Sequence, residues 1–133
     1  MIIGFDKDNL KKRLKTDFLC DGKVLYWAIY DFSYKYRTRI FNGNDEEVAY
    51  VEKDILEDDK VNLFDNKGKK LDEIIKTSEG YRSGDHLYTG DIDNGGIEDL
   101  FVSEDGKLSI FDDKDVLYAI MFLCGLIEIV RKD

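Results

Sequence analysis

The sequence predicts a mainly β, α+β chain: a meandering antiparallel sheet or small barrel of repeated hairpins that encloses a hydrophobic C-terminal helix. Three observations predict it. Short apolar runs recur between turn-forming clusters from Val24 to Phe111. One of those hairpin units is repeated within the chain. A charge-free run, Val116 to Ile127, stands near the carboxy terminus. The length of 133 residues fits one domain, residues 1–133, that buries roughly two-thirds of its unfolded surface. With 43% apolar and 13% aromatic residues, the composition is not that of a disordered chain.

In chain order, residues 6–15 read as a short helix. Asp6 is its cap, and Leu10 and Leu14 lie four apart on one face; an extended entry strand is the alternative. Residues 24–111 read as β hairpins. Val24 to Tyr30 is a near-continuous apolar and aromatic run that contains Trp27. Tyr34, Tyr36, Thr38 and Ile40 then alternate with Lys35, Arg37 and Arg39, which predicts aromatics on one strand face and cations on the other. Val48–Val51, Val61–Phe64, Leu71–Ile75 and Leu87–Thr89 are further short strands, parted by turn clusters such as Asn42-Gly43-Asn44-Asp45 and Asp65-Asn66-Lys67-Gly68.

Residues 38–53 align without gaps on residues 61–76: Ile40 on Leu63, Phe41 on Phe64, Val48 on Leu71, Val51 on Ile74 and Lys53 on Lys76. Looser copies surround Asp21-Gly22 and Asp105-Gly106. A repeated strand–turn–strand unit packs side by side to bury one shared apolar face. Residues 113–131 read as the helix. Asp112 to Asp115 supply its cap, and Glu128, Arg131 and Lys132 mark its exit to water. A helix apolar all round is buried on every side or lies in a membrane. Twelve to fifteen residues reach only about 18–22 Å, short of a bilayer core, so the expectation is a central helix within the sheet.

Charge narrows the partners. The net charge is −9, yet residues 1–39 carry nine basic against five acidic side chains, and residues 40–133 carry 11 against 24. The acidic total repels nucleic acid and disfavours anionic lipid. The amino-terminal cations either form a local basic patch or face the acidic remainder within the fold. The amino terminus lacks the regions of a signal peptide, and no apolar run is long enough to span a bilayer. Cys20 and Cys124 do not make a disulfide scaffold, so the cytoplasm is the expected compartment.

Taken together, Lys35-Tyr36-Arg37-Thr38-Arg39-Ile40-Phe41, Val48-Ala49-Tyr50-Val51-Glu52-Lys53 and the tail from Phe111 to Met121 resemble the LURP-one-related and tubby carboxy-terminal-like barrel family. The resemblance implies an antiparallel barrel around one hydrophobic helix. It also implies a basic surface for anionic lipid head groups, for which Lys35, Arg37 and Arg39 are the candidates here.

Chemistry-bearing motifs are sparse. Asp91, Asp93 and Asp99 flank the Gly95-Gly96 turn, and carboxylates so spaced can converge on Ca²⁺, which takes six to eight oxygens. The string resembles the loops of FG-GAP propeller blades, with Gly95 at the third ligand position; a solvated hairpin is the alternative. His86 is the only histidine and lacks a nucleophile motif, so it reads as a strand-edge residue. Cys124 reads as an inert core thiol. Asp58-Asp59 reads as a turn, and Trp27, Tyr34 and Tyr36 as core or a stacking face.

The expected function is therefore that of a non-catalytic binding domain with no required cofactor, and its expected partner is a protein. An acidic immunity or antitoxin-type protein that blocks a basic toxin is the alternative, as are Ca²⁺-binding and lipid-binding modules.

Overall fold

A computed structural model describes residues 1–34, 36–91, 96–97, 101–104, 107–110 and 116–130. Its strands are β1 (Ile2–Gly4), β2 (Thr16–Cys20), β3 (Lys23–Asp31), β4 (Arg37–Asn42), β5 (Glu47–Lys53), β6 (Lys60–Asp65) and β7 (Lys70–Lys76). Shorter ones follow: β8 (Tyr81–Ser83), β9 (His86–Tyr88), β10 (Gly90–Asp91), β11 (Gly96–Ile97), β12 (Phe101–Glu104) and β13 (Lys107–Ile110). Helix α1 (Lys7–Lys11) lies between β1 and β2, and α2 (Val116–Val130) comes last.

All strand pairs are antiparallel, in the order β10-β11-β12-β13-β1-β2-β3-β4-β5-β6-β7-β8-β9. The mainly β meander is thus as the sequence predicts. Of the two forms expected, the described ladder takes the open one: it does not close into a barrel. Its outermost strands nevertheless adjoin in sequence, since β9 ends at Tyr88 and β10 begins at Gly90. Two peptide units span about 7 Å at most, so the end of β9 and the start of β10 lie within that distance of each other.

The internal repeat is structural. Thr38 pairs with Val51, Ile40 with Ala49 and Phe41 with Glu47; the equivalents Val61–Ile74, Leu63–Asp72 and Phe64–Lys70 pair in the same register. Each copy carries a bulge immediately before its phenylalanine. The turns match as well. The Asn42 side chain accepts from the Asn44 and Glu46 amides, and Asp65 accepts from those of Lys67 and Lys69. The left-handed position falls on Asp45 (φ 62°) in one copy and Gly68 (φ 84°) in the other. Phe41 stacks on Trp27 at 4.1 Å and Phe64 on Tyr50 at 4.8 Å, each across to the preceding strand. Inward positions Thr38, Ile40, Ala49, Val51, Val61, Leu63 and Ile74 are buried.

Helix α2 fills the space those side chains face. Val116 and every residue from Ala119 to Ile129 are buried, so the helix is a core element. Gly125 lets it approach β6 and β7 closely: a Cβ there would lie 3.1 Å from Ile74 Cδ1 and 3.2 Å from Val61 Cγ1. Burial pushes the Cys124 thiol up to about 12, as suits an inert core group. The acidic segment 112–115 and Arg131 and Lys132 lie outside the described residues.

Three local expectations change. Asp6 caps α1 through the Asn9 amide, but the helix stops at Lys11. Arg13 then takes φ 63°, which turns Leu14 outward, off the face of Leu10. Tyr36 also has φ 63°, which breaks the alternation at the start of β4 and brings the Tyr34 ring onto the arginine side. Glu128 does not exit to water. It is buried and paired with Arg13, Nη2 to Oε2 at 2.9 Å and Nε to Oε1 at 3.3 Å.

Candidate functional site

The outer faces of β3, β4 and β5 gather two of the three predicted head-group cations; Lys35 lies outside the described residues. Arg37 pairs with Glu52, which faces it across the strands, and its guanidinium lies between the rings of Tyr34 (4.1 Å) and Tyr50 (4.2 Å). Arg39 donates to Asp31 at 2.6 Å and to Glu47 at 2.9 Å. That Arg39 hydrogen bond, with a second from the Ser33 amide, holds the Asp31 carboxyl below its usual value. Two guanidinium groups thus meet three carboxylates, and the cluster carries a net negative charge.

The remaining candidates disperse. Asp91 is exposed on β10, while Asp93 and Asp99 lie outside the described residues. Among the described residues no three metal-binding side chains converge. His86 is exposed on β9, at one end of the strand order, with its ring 4.2 Å from that of Tyr88. Asp72 accepts hydrogen bonds from Ser83 (2.6 Å) and Tyr118 (3.0 Å), and burial pushes the Tyr118 phenol well above its usual value. This trio ties β7 and β8 to the first turn of α2, with the carboxylate as acceptor from both hydroxyls. An open groove of about 630 Å³ runs beside α1 and β2, lined by Phe5, Asp6, Lys7, Lys15 and Asp17 among others. No helix among the described residues is long and apolar enough to cross a membrane.

One end of the sheet is different in kind. The register sets the turns that follow β3, β5 and β7 at the same end of the sheet: Asp31 opposes Arg37, Arg37 opposes Glu52, and Lys60 opposes Ile75. Two backbone bonds tie the turns to the neighbouring strand ends, Lys53 N–H to Tyr36 O at 3.2 Å and Lys76 N–H to Asp59 O at 2.8 Å. Here Phe32, Ile55 and Leu56 are 79%, 80% and 88% exposed. They do not sit on slack chain. The Phe32 ring meets the edge of Tyr30 at 4.8 Å, and the Asp31 carboxylate accepts from the Ser33 amide at 2.9 Å. The Asp54 carboxylate accepts from the amides of Leu56 (3.1 Å) and Glu57 (3.0 Å) and from the Asn62 side chain (3.1 Å).

The Asn62 hydrogen bond first, and those two amides after it, hold the Asp54 carboxyl below its usual value. Its contribution is therefore present above the ordinary carboxylate range and lost as pH falls through the depressed value. Asp54→Ala is expected to speed amide exchange at Leu56 and Glu57 by about tenfold, the scale of one charge-assisted hydrogen bond, and to leave core amides unchanged. Unchanged exchange at both loop amides would mean that the turn is held by other contacts.

Sequence reasoning placed a turn at Asp58-Asp59 and passed over the apolar pair before it. The available signal was an Ile-Leu pair set among acidic residues between two strands, where a turn has no core to face. Compared with protein-family models, with curated proteins and with solved structures, the chain matches none, so the likeness to the LURP-one-related and tubby-like barrels rests on its sequence motifs alone.

Proposed function

We propose that this chain is a non-catalytic interaction domain that works by binding a protein partner through its loop end. The observation that carries this reading is the display of Phe32, Ile55 and Leu56 in water on turns fixed by hydrogen bonds. Full burial of such side chains is worth roughly 1.5–3 kcal/mol each, and that free energy is available to a partner. Turns already held by Asp31 and Asp54 lower the ordering cost of binding.

The lipid reading taken from the tubby-like resemblance is weaker. Arg37 and Arg39 would have to leave Glu52, Asp31 and Glu47 to meet a phosphate.

The test is quantitative capture from the native host's lysate with the intact chain and with Phe32→Ser/Ile55→Ser/Leu56→Ser. All three positions are exposed, so the melting temperature should stay close to that of the parent. A partner retained by the parent and depleted at least tenfold with the variant is the expected result. Equal retention of every protein by both would overturn the reading.

A further inference from the structure

Loop 54–59 also differs from the rest of the chain in charge, and that difference bears on what it receives. Loops 54–59 and 77–80 contain Asp54, Glu57, Asp58, Asp59 and Glu79 and no basic residue, while Lys53, Lys60 and Lys76 stand at the strand ends beside them. Asp54 is spent on its own turn, whereas Glu57, Asp58 and Asp59 are exposed. Among the described residues Glu57 pairs only loosely, with Lys60 at 3.9 Å, a contact of little worth at an exposed side chain. Apolar side chains and exposed carboxylates therefore stand together on loop 54–59.

We infer that this surface is the docking face for a polypeptide with a basic, partly apolar surface, into which Phe32, Ile55 and Leu56 insert while Glu57, Asp58 and Asp59 pair with surrounding cations. The inference rests on the protein-binding reading above and adds the chemistry of the partner. An apolar centre within a charged rim is the anatomy of specific interfaces: the centre sets the lifetime of the complex and the rim steers its approach. The same chemistry argues against the other occupants. An anionic bilayer is repelled by the carboxylates beside Ile55 and Leu56. A second copy joined about a two-fold axis through loop 54–59 would bring Glu57, Asp58 and Asp59 against their own copies.

The probe is a synthetic helical peptide of leucine and lysine, with a leucine–glutamate peptide of the same pattern as control. Binding is followed through the amide NMR spectrum of the full-length chain at two salt concentrations. The lysine peptide should perturb amides of residues 32–34, 55–59 and 79 selectively. Glu57→Lys/Asp58→Lys/Asp59→Lys should weaken binding at least tenfold, as should the higher salt. Phe32→Ser/Ile55→Ser/Leu56→Ser should weaken it without removing the salt dependence. Perturbation centred elsewhere, equal binding of the glutamate peptide, or self-association abolished by the same substitutions would each overturn the inference. The two proposals fail separately. A lysate partner lost with the serine variant but indifferent to the lysine variant keeps the interaction reading and removes the basic partner. A lysine peptide bound at the loops with no variant-sensitive lysate partner does the reverse.

Discussion

Ile120→Asp is expected to abolish cooperative folding. Ile120 is fully buried in a helix whose neighbours from Ala119 to Ile129 are all buried as well. The substitution removes roughly 1.5–3 kcal/mol of apolar burial. It also leaves a carboxyl either ionised without a partner or protonated against its usual preference, at a further several kcal/mol. That sum rivals the whole stability of a typical domain, about 5–15 kcal/mol.

Two companions make the result interpretable. Val130→Asp lies on the same helix at a position 41% exposed, and should melt close to the parent. Phe122→Ala empties a site that contacts the rings of Tyr88 (5.1 Å) and Tyr118 (6.1 Å). It should cost about 3–5 kcal/mol, with a lowered but still cooperative transition. Circular dichroism melts of the three variants decide the matter. A soluble Ile120→Asp protein that melts like the parent would show that α2 is not the centre of the core.

That helix was the most legible part of the chain, because twelve successive uncharged residues too short for a bilayer leave one plausible environment. The hairpin repeat was nearly as legible. Phe41 and Phe64 stand at equivalent positions, and the shared register, bulge and turn chemistry follow from that periodicity. Legibility ended where a residue adopted a conformation its type does not advertise. Arg13 and Tyr36 take positive φ without being glycine or asparagine, so α1 appeared longer than it is and the face of Tyr34 was misread. It ended again where the outcome depended on cross-strand partners. An alternating Lys-x-Arg-x-Arg string reads as a basic face, and only the register reveals Glu52 opposite Arg37 and Glu47 within reach of Arg39. Of the two expectations for the amino-terminal cations, pairing with the acidic remainder is the one these arginines follow. The loop end was visible only as apolar residues where a turn was expected; what brings the turns that carry Phe32, Ile55 and Leu56 to one end is sheet order.

Arg13→Ala is expected to cost about 3–5 kcal/mol, a penalty typical of removing one member of a buried ion pair. Arg13 follows α1 and Glu128 lies in the last turn of α2, 115 positions apart in sequence, so their two-bond contact fastens the chain's beginning to its core helix. The side chains are only 15% and 3% exposed, and the guanidinium also lies 4.1 Å from the centre of the Tyr30 ring. Arg13→Lys keeps the charge but loses the planar fork and the stacking, and should recover only part of the loss. Arg13→Met with Glu128→Leu replaces both charges by apolar side chains of similar size, and should recover most of it, because the cost of a broken buried pair lies largely in the charge left behind. Denaturant unfolding of the single and double variants measures the coupling. A single variant as stable as the parent, or a double variant no better than the single, would show that water already satisfies Glu128 and that the contact is not what fastens α1 to α2. The expected non-additivity would instead explain how a five-residue helix, too short to stand alone, keeps its place against the core.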